Sequence, residues 1–243
     1  MTHAADLTGQ RVLIVGGSRF IGAELARRAA SLGAEVVIGA RDLDRATEVA
    51  DALPGGAGKV VRIDVLEEST IAAAAADIGE VDHVIVTAAA HHDVPVAELE
   101  HDKVVAAFEA KVIGPLMLAK HFAPRMRAGG SFVLFSGIVG WKPGPGSTVK
   151  GITNGAVAYA AAHLAANLSP LRVNAIAPGV VDSGTWDEKV GDKAAFLSRA
   201  GEHTLVGRYG EMADIADAAM WLLTAGYVTG EVIHIDGGGR RVA

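Results

Sequence analysis

The chain has 243 residues, half of them hydrophobic and 21% charged, which allows a substantial core and excludes pure disorder. A net charge of −6 argues against a broad nucleic-acid surface, and the absence of cysteine excludes disulfides and thiolate metal sites. No apolar run reaches the roughly 18–20 residues that cross a bilayer, and the polar stretch Met1–Gln10 lacks the core of a secretory leader; a cytoplasmic protein with no membrane partner is expected.

Short apolar runs and longer segments of helical periodicity alternate along the whole chain. Arg11–Val15 is the first predicted strand. It runs into Gly16-Gly17-Ser18-Arg19-Phe20-Ile21-Gly22 and then the periodic segment Ile21–Leu32. This is the strand–glycine loop–helix context in which a pyrophosphate docks: Gly16 for the tight turn, Gly22 for close helix packing, and free N–H groups at the helix start. The second predicted strand, Glu35–Ile38, leads into Gly39-Ala40-Arg41. An NAD site usually carries a carboxylate there for the ribose 2′-hydroxyl. Arg41, with Arg19, suits a 2′-phosphate instead and favours NADP(H) over NAD(H). The alternative is an Arg41–Asp42 pair in a solvated turn.

Leu43–Leu53 is a predicted helix and Lys59–Ile63 a strand, followed by Asp64, which is placed to accept from an adenine amino group. His83–Val86 is the fourth strand, with His91 and His92 beyond its end; the helical segment Val96–Met126 and the strand Ser131–Phe135 come next. The proline- and glycine-rich stretch Trp141–Ser147 is a loop. In Ala156–Leu168 alanine lies on nearly every face, the pattern of a helix buried on both sides, and packing on a second copy is expected, the alternative being cover by Val180–Arg199. Arg172–Ile176 and Val232–Ile235 complete seven strands. Val180–Arg199 reads as a partly helical flap and Met212–Leu223 as the last helix. Strands and helices in this alternation imply an α/β fold of three layers: a doubly wound parallel sheet of Rossmann type, helices on both faces, and one domain over residues 1–243. The two loops fall at the carboxyl edge, where ligands bind in such sheets. Trp141 and Trp186 stand in them, either to stack on a substrate or to pack the flap.

With these segments in place the chain resembles the short-chain dehydrogenase/reductase family over essentially its whole length. Gly16–Gly22 matches TGxxxGxG, with Val15 for the threonine and Phe20 for the middle glycine. Asp64-Val65 matches the adenine-binding pair, and Thr87-Ala88-Ala89-Ala90 stands where the family has NNAG. Arg172-Val173-Asn174 with Ala177-Pro178-Gly179 matches the RVN…PG stretch under the nicotinamide. Gly207-Arg208, Thr229-Gly230 and Asp236-Gly237-Gly238 match the C-terminal pattern. The resemblance implies an NAD(P)H-dependent oxidoreductase, a small-molecule substrate, and a homodimer or homotetramer. It further implies cofactor contacts at Gly16, Ser18, Arg19, Phe20, Ile21, Gly22, Arg41, Asp64, Val65, Ala88, Ala89, Pro178, Gly179 and Val181.

The family's catalytic tetrad, Asn, Ser and a YxxxK pair, is not retained. Lys150 stands at the tyrosine and Asn154 at the lysine. Lys111 stands at the asparagine, while Ser136 is adjacent to Gly137, which better fits the serine's spacing. Carbonyl reduction still needs a proton at the developing alkoxide. Lys150 is one candidate acid if buried beside cations such as Lys111, with Ser136 donating to the substrate oxygen and Asn154 to ribose hydroxyls. A second candidate is the pair His91 and His92, which is not backed by any metal-ligand spacing. The rival function is non-redox: a dinucleotide or metabolite sensor, or a cyclase, dehydratase or isomerase using the same pocket.

Overall fold

The computed structural model describes residues 5–56, 58–187 and 190–242. Nine strands appear in chain order: β1 Arg11–Val15, β2 Glu35–Ala40, β3 Lys59–Arg62, β4 Val81–Val86, β5 Met126–Phe135, β6 Arg172–Pro178, β7 Val181–Asp182, β8 Gly210–Glu211 and β9 Val232–Ile235. Seven form one parallel sheet in the order β3-β2-β1-β4-β5-β6-β9. The helices are α1 Phe20–Ser31, α2 Leu43–Asp51, α3 Glu68–Ile78, α4 His101–Phe108, α5 Gly114–Phe122, α6 Thr148–Asn167, α7 Lys193–Glu202 and α8 Met212–Thr224.

Side chains alternate across the pleat, which divides the apolar runs between two cores. Val12 and Ile14 join Leu25, Ala219 and Leu222 on the face covered by α1 and α8. Leu13 and Val15 join Ile71, Leu118, Phe122 and Val157 on the face covered by α3, α5 and α6. A strand buried on both sides has no polar alternation, which is why the runs read as continuous hydrophobic segments. The result is a Rossmann-type three-layer α/β fold. No helix among the described residues is long and apolar enough to cross a membrane.

Several boundaries differ from the sequence expectation. The expected helix Val96–Met126 resolves into a 3₁₀ turn at Val96–Glu98, α4, a π turn at Glu109–Ile113, α5 and a second 3₁₀ turn at Ala123–Arg125. β5 starts five residues before the expected Ser131, at Met126, and α6 reaches back to Thr148, beyond the alanine-rich part. The flap is partly helical as expected. It contributes α7, and its β7 pairs with β8 outside the main sheet.

The Arg172-Val173-Asn174 motif acts as a clip between elements. The Arg172 guanidinium donates to the carbonyls of Leu222 and Leu223, both at 2.7 Å, at the end of α8. Fully buried Asn174 donates to Val228 O and accepts from the Glu231 N–H. These side chains fasten α8 and β9 to β6, so they act below the ligand edge of the sheet.

A buried polar chain links Gln10, just before β1, to β5 through β4. His83 Nε2–H donates to Gln10 Oε1 at 2.7 Å, and Nδ1 accepts from the Ser131 hydroxyl at 2.8 Å. Burial pushes the imidazole down to about 4 from 6.5. Its folded pKa lies below the unfolded one, so its stabilisation is complete above about pH 6.5 and is lost as pH falls toward 4. At about 1.4 kcal/mol per unit this amounts to about 3 kcal/mol. Urea unfolding at pH 7 and pH 4.5 is expected to show that loss in the native chain and a smaller one in His83→Asn. Equal losses in both would remove His83 as the cause.

Candidate functional site

The strand order reverses between β1 and β4, and the crevice at their carboxyl ends is the ligand position of a doubly wound sheet. Gly16 leaves β1 at φ +89°, and a Cβ there would lie 2.6 Å from Thr87 Oγ1 and 2.8 Å from Ala88 N. A Cβ on Gly22 would lie 2.1 Å from Gly16 O. Neither position accepts a side chain, so the backbone forms a bare cradle between β1, α1 and the β4 end. Thr87 Oγ1 reaches Val15 O at 3.1 Å and Gly16 O at 3.2 Å, which holds the two loops together.

The start of α1 has no side-chain cap and no acidic residue in its first turn. Its first N–H groups therefore lack an internal anion, the arrangement that accepts a phosphate. Arg19 is the N-cap residue and Arg41 directly follows β2; both are exposed, and neither forms an ion pair among the described residues. The alternative of an Arg41–Asp42 pair is not what forms, because the Asp42 carboxylate accepts from the Arg45 N–H as the cap of α2. Ser18 in the loop and Ile21 in the first turn of α1 are half-buried.

Phe20, at the family's middle-glycine position, has φ +51°. Its ring lies against the flap, where a Cβ on Gly184 would come within 3.0 Å of it, and 5.3 Å from the Arg19 guanidinium carbon. A left-handed conformation costs a non-glycine residue roughly 1–2 kcal/mol. Phe20→Ala keeps that cost and Phe20→Gly removes it, while both lose the ring. The glycine variant is therefore expected to be about 1 kcal/mol more stable in chemical denaturation. The reverse order would show that the backbone there is not strained.

On the adenosine side Asp64 follows β3 and accepts from the Leu66 N–H through one carboxylate oxygen, at 3.0 Å. Val65 packs against Gly114, where a Cβ would approach to 2.7 Å. Half-buried Ala88 and exposed Ala89 follow β4. Pro178 ends β6, the Gly179 N–H donates to Ile235 O at 2.9 Å, and buried Val181 lies in β7.

The four tetrad positions meet around the end of β5. Lys111 lies in the π turn, is only 7% exposed, and donates to the Ser136 carbonyl at 3.3 Å. The Ser136 hydroxyl donates to the Asn154 carbonyl at 2.8 Å. Asn154 is 2% exposed, and its buried Oδ1 has no hydrogen-bond partner among the described residues. Burial, and after it the positive charge of Lys150, push the Lys111 ammonium down to about 8, against the opposing pull of Asp93.

Two expectations are corrected here, and one open alternative is decided. Lys150 is only half-buried, and although its charge acts on Lys111, its ammonium forms an ion pair with Asp93, in the loop beyond β4. Ser136 commits its single hydroxyl proton to Asn154 O, so it does not donate to a substrate in this arrangement. The tryptophans serve packing: Trp141 meets His234 edge-on at 4.4 Å, while Trp186 packs on Phe196 at 4.7 Å and donates to Val181 O. Of the histidine pair, His92 is buried and accepts the Glu100 N–H through Nε2 at 3.1 Å. Among the described residues no group of three His, Asp or Glu could hold a metal ion. Asp93 was missed from sequence because nothing local distinguishes it; it lies 57 residues from Lys150.

Comparison with known proteins covers nearly the whole chain. The profile of a family described as Enoyl-(Acyl carrier protein) reductase matches residues 16–239. Short-chain dehydrogenase/reductase ATR9 of Stachybotrys chlorohalonatus is 31% identical over 251 residues, covering 96% of this chain and 97% of the relative. A solved short chain dehydrogenase/reductase family protein superposes with a TM-score of 0.89 at 30% identity, covering 98% of this chain and all of the other. A small-chain dehydrogenase solved in complex with NADPH superposes with a TM-score of 0.82 at 31% identity, covering 96% of this chain and 99% of the other.

Proposed function

Because the chain belongs to the short-chain dehydrogenase/reductase family, we propose that it is an NADP(H)-dependent oxidoreductase acting on a small carbonyl or alcohol. The observation that carries this reading is the cradle itself: bare backbone at Gly16 and Gly22, an uncapped helix start, and Arg19 and Arg41 free of carboxylate partners among the described residues. The NADPH complex of a relative similar over its whole length supports the same assignment.

In this reading the glycine loop with Ser18, Phe20, Ile21 and the first amides of α1 binds the pyrophosphate. Arg19 and Arg41 bind the 2′-phosphate by charge-assisted bonds. Asp64, through the oxygen not used by Leu66, and Val65 bind the adenine. Ala88, Ala89, Pro178, Gly179 and Val181 border the nicotinamide side, and the orphan Oδ1 of Asn154 accepts from a ribose hydroxyl or a water. The bound dinucleotide supplies or accepts a hydride. The chain's own groups orient the substrate and manage the proton, with Lys111, Lys150, Ser136 and Asn154 grouped around the end of β5.

We further propose a homodimer or homotetramer. Ile152 and Tyr159 of α6, with Val105 of α4 and Leu116 of α5, leave apolar surface exposed in the single chain. Covering it with a second copy removes that surface from water.

Titration with NADPH and NADH, followed by nicotinamide fluorescence, tests the assignment. Tight NADPH binding with turnover of a member of a carbonyl and alcohol panel is expected. Binding without turnover of any aldehyde, ketone, enone or alcohol would move the protein to the sensor or non-redox class.

A further inference from the structure

A lysine is seldom buried without a partner, because an ammonium loses a large hydration free energy when it leaves water. Lys111 is 7% exposed, and among the described residues the acceptor of its ammonium is the Ser136 carbonyl at 3.3 Å. The helix opens around it: the Gly114 N–H bonds to Glu109 O, five residues back, so the turn that carries Lys111 is a π turn. Such turns are rare and concentrate at functional sites. Two charged side chains act on this ammonium from different elements, Lys150 of α6 and Asp93 of the loop beyond β4, and these two are ion-paired with each other. Methionine would fill the same space without a charge to desolvate, so packing does not account for a lysine here.

We propose that Lys111 is the proton-donating residue of this site, and that Lys150 and Asp93 are positioning residues that set its charge state. The inference rests on the oxidoreductase reading. In the reductive direction the carbonyl carbon accepts a hydride from a dihydronicotinamide and the C=O π pair moves to oxygen. One N–H bond of Lys111 breaks, its proton forms the O–H bond of the alcohol, and the neutral amine regains a proton from solvent. Lys150 opposes the charge on Lys111 and Asp93 favours it, so each adjusts the acid without touching the substrate. With a pKa of about 8, Lys111 loses its proton at moderately alkaline pH and the reduction rate falls there.

Three substitutions give three different signs. Lys111→Met is expected to lower turnover at pH 7 by about 100-fold or more and to abolish the alkaline limb of the pH–rate profile. Lys150→Met removes a like charge and moves that limb to higher pH, by about half a unit or more. Asp93→Asn removes the counter-charge and moves it to lower pH. A readout without cofactor accompanies these: the stability difference between Lys111→Met and the native chain that stems from the charge is greatest below pH 8 and shrinks as pH rises through 10.5, above which the lysine is neutral in both states. An unchanged alkaline limb in Lys111→Met, or limbs unmoved in both other variants, overturns the proposal. So does a Lys111→Met protein that does not fold, since loss of a buried charge must not destabilise. If no pyridine nucleotide binds, the oxidoreductase reading fails and the proton-donor role falls with it. Binding and turnover accompanied by the wrong limb shifts overturn the role of Lys111 alone.

Discussion

At pH 7, Lys111→Met is expected to melt at a higher temperature than the native chain. The lysine is held at about 8 in the folded protein against 10.5 for the free side chain. At about 1.4 kcal/mol per unit, keeping it charged inside costs about 3 kcal/mol. Methionine removes that cost and loses one hydrogen bond to Ser136 O, worth about 1 kcal/mol. The net gain is about 2 kcal/mol, or roughly 4–8 °C for a chain of this size. Since the lysine sheds its proton between pH 8 and 10.5, a melt at pH 10.5 is expected to show little or no gain. A variant that melts below the native chain at pH 7 would mean that the ammonium has bonding which repays its desolvation. Activity bought at the expense of stability is the ordinary signature of a functional charge.

The second large effect concerns the choice of dinucleotide. Arg41→Asp replaces a cation by an anion beside the place where a 2′-phosphate would sit. A charge-assisted bond contributes about 1.5–3 kcal/mol, and the new carboxylate adds repulsion. NADPH affinity is expected to fall by about 100-fold or more, at 1.4 kcal/mol per tenfold. NADH affinity should stay within about threefold, or rise if the carboxylate accepts the ribose 2′-hydroxyl. Titrations at one fixed ionic strength are needed, since exposed charges are screened. Equal losses for both dinucleotides would remove Arg41 from phosphate recognition and leave it a surface residue.

The reliability of different signals follows their physical range. Val12–Val15 and Phe132–Phe135 are identifiable as strand segments because burial on both faces favours apolar side chains at successive positions. Gly16 and Gly22 were legible because a cradle without room for a Cβ admits one residue type. Helix interiors were less so: the π turn at Lys111 depends on how α4 and α5 lie against Val65 and the end of β5, and no local pattern reports it. The Trp141 and Trp186 rings fitted both alternatives equally until their neighbours, His234 and Phe196, were known. Arg172 and Asn174 belong to a recognisable motif, yet their hydrogen bonds place them in fastening α8 and β9.

The residues themselves determined the layered α/β architecture, the bare glycine turn between β1 and α1 and the absence of tyrosine from residues 148–154, all carried by side-chain size, period and spacing within short stretches. Tertiary structure alone decided which lysine is buried and which is ion-paired. Lys111, Asp93, Ser136, Lys150 and Asn154 come from four separate stretches of chain, and a side chain's charge state depends on the water and charges around it, which are set only when those stretches are brought together.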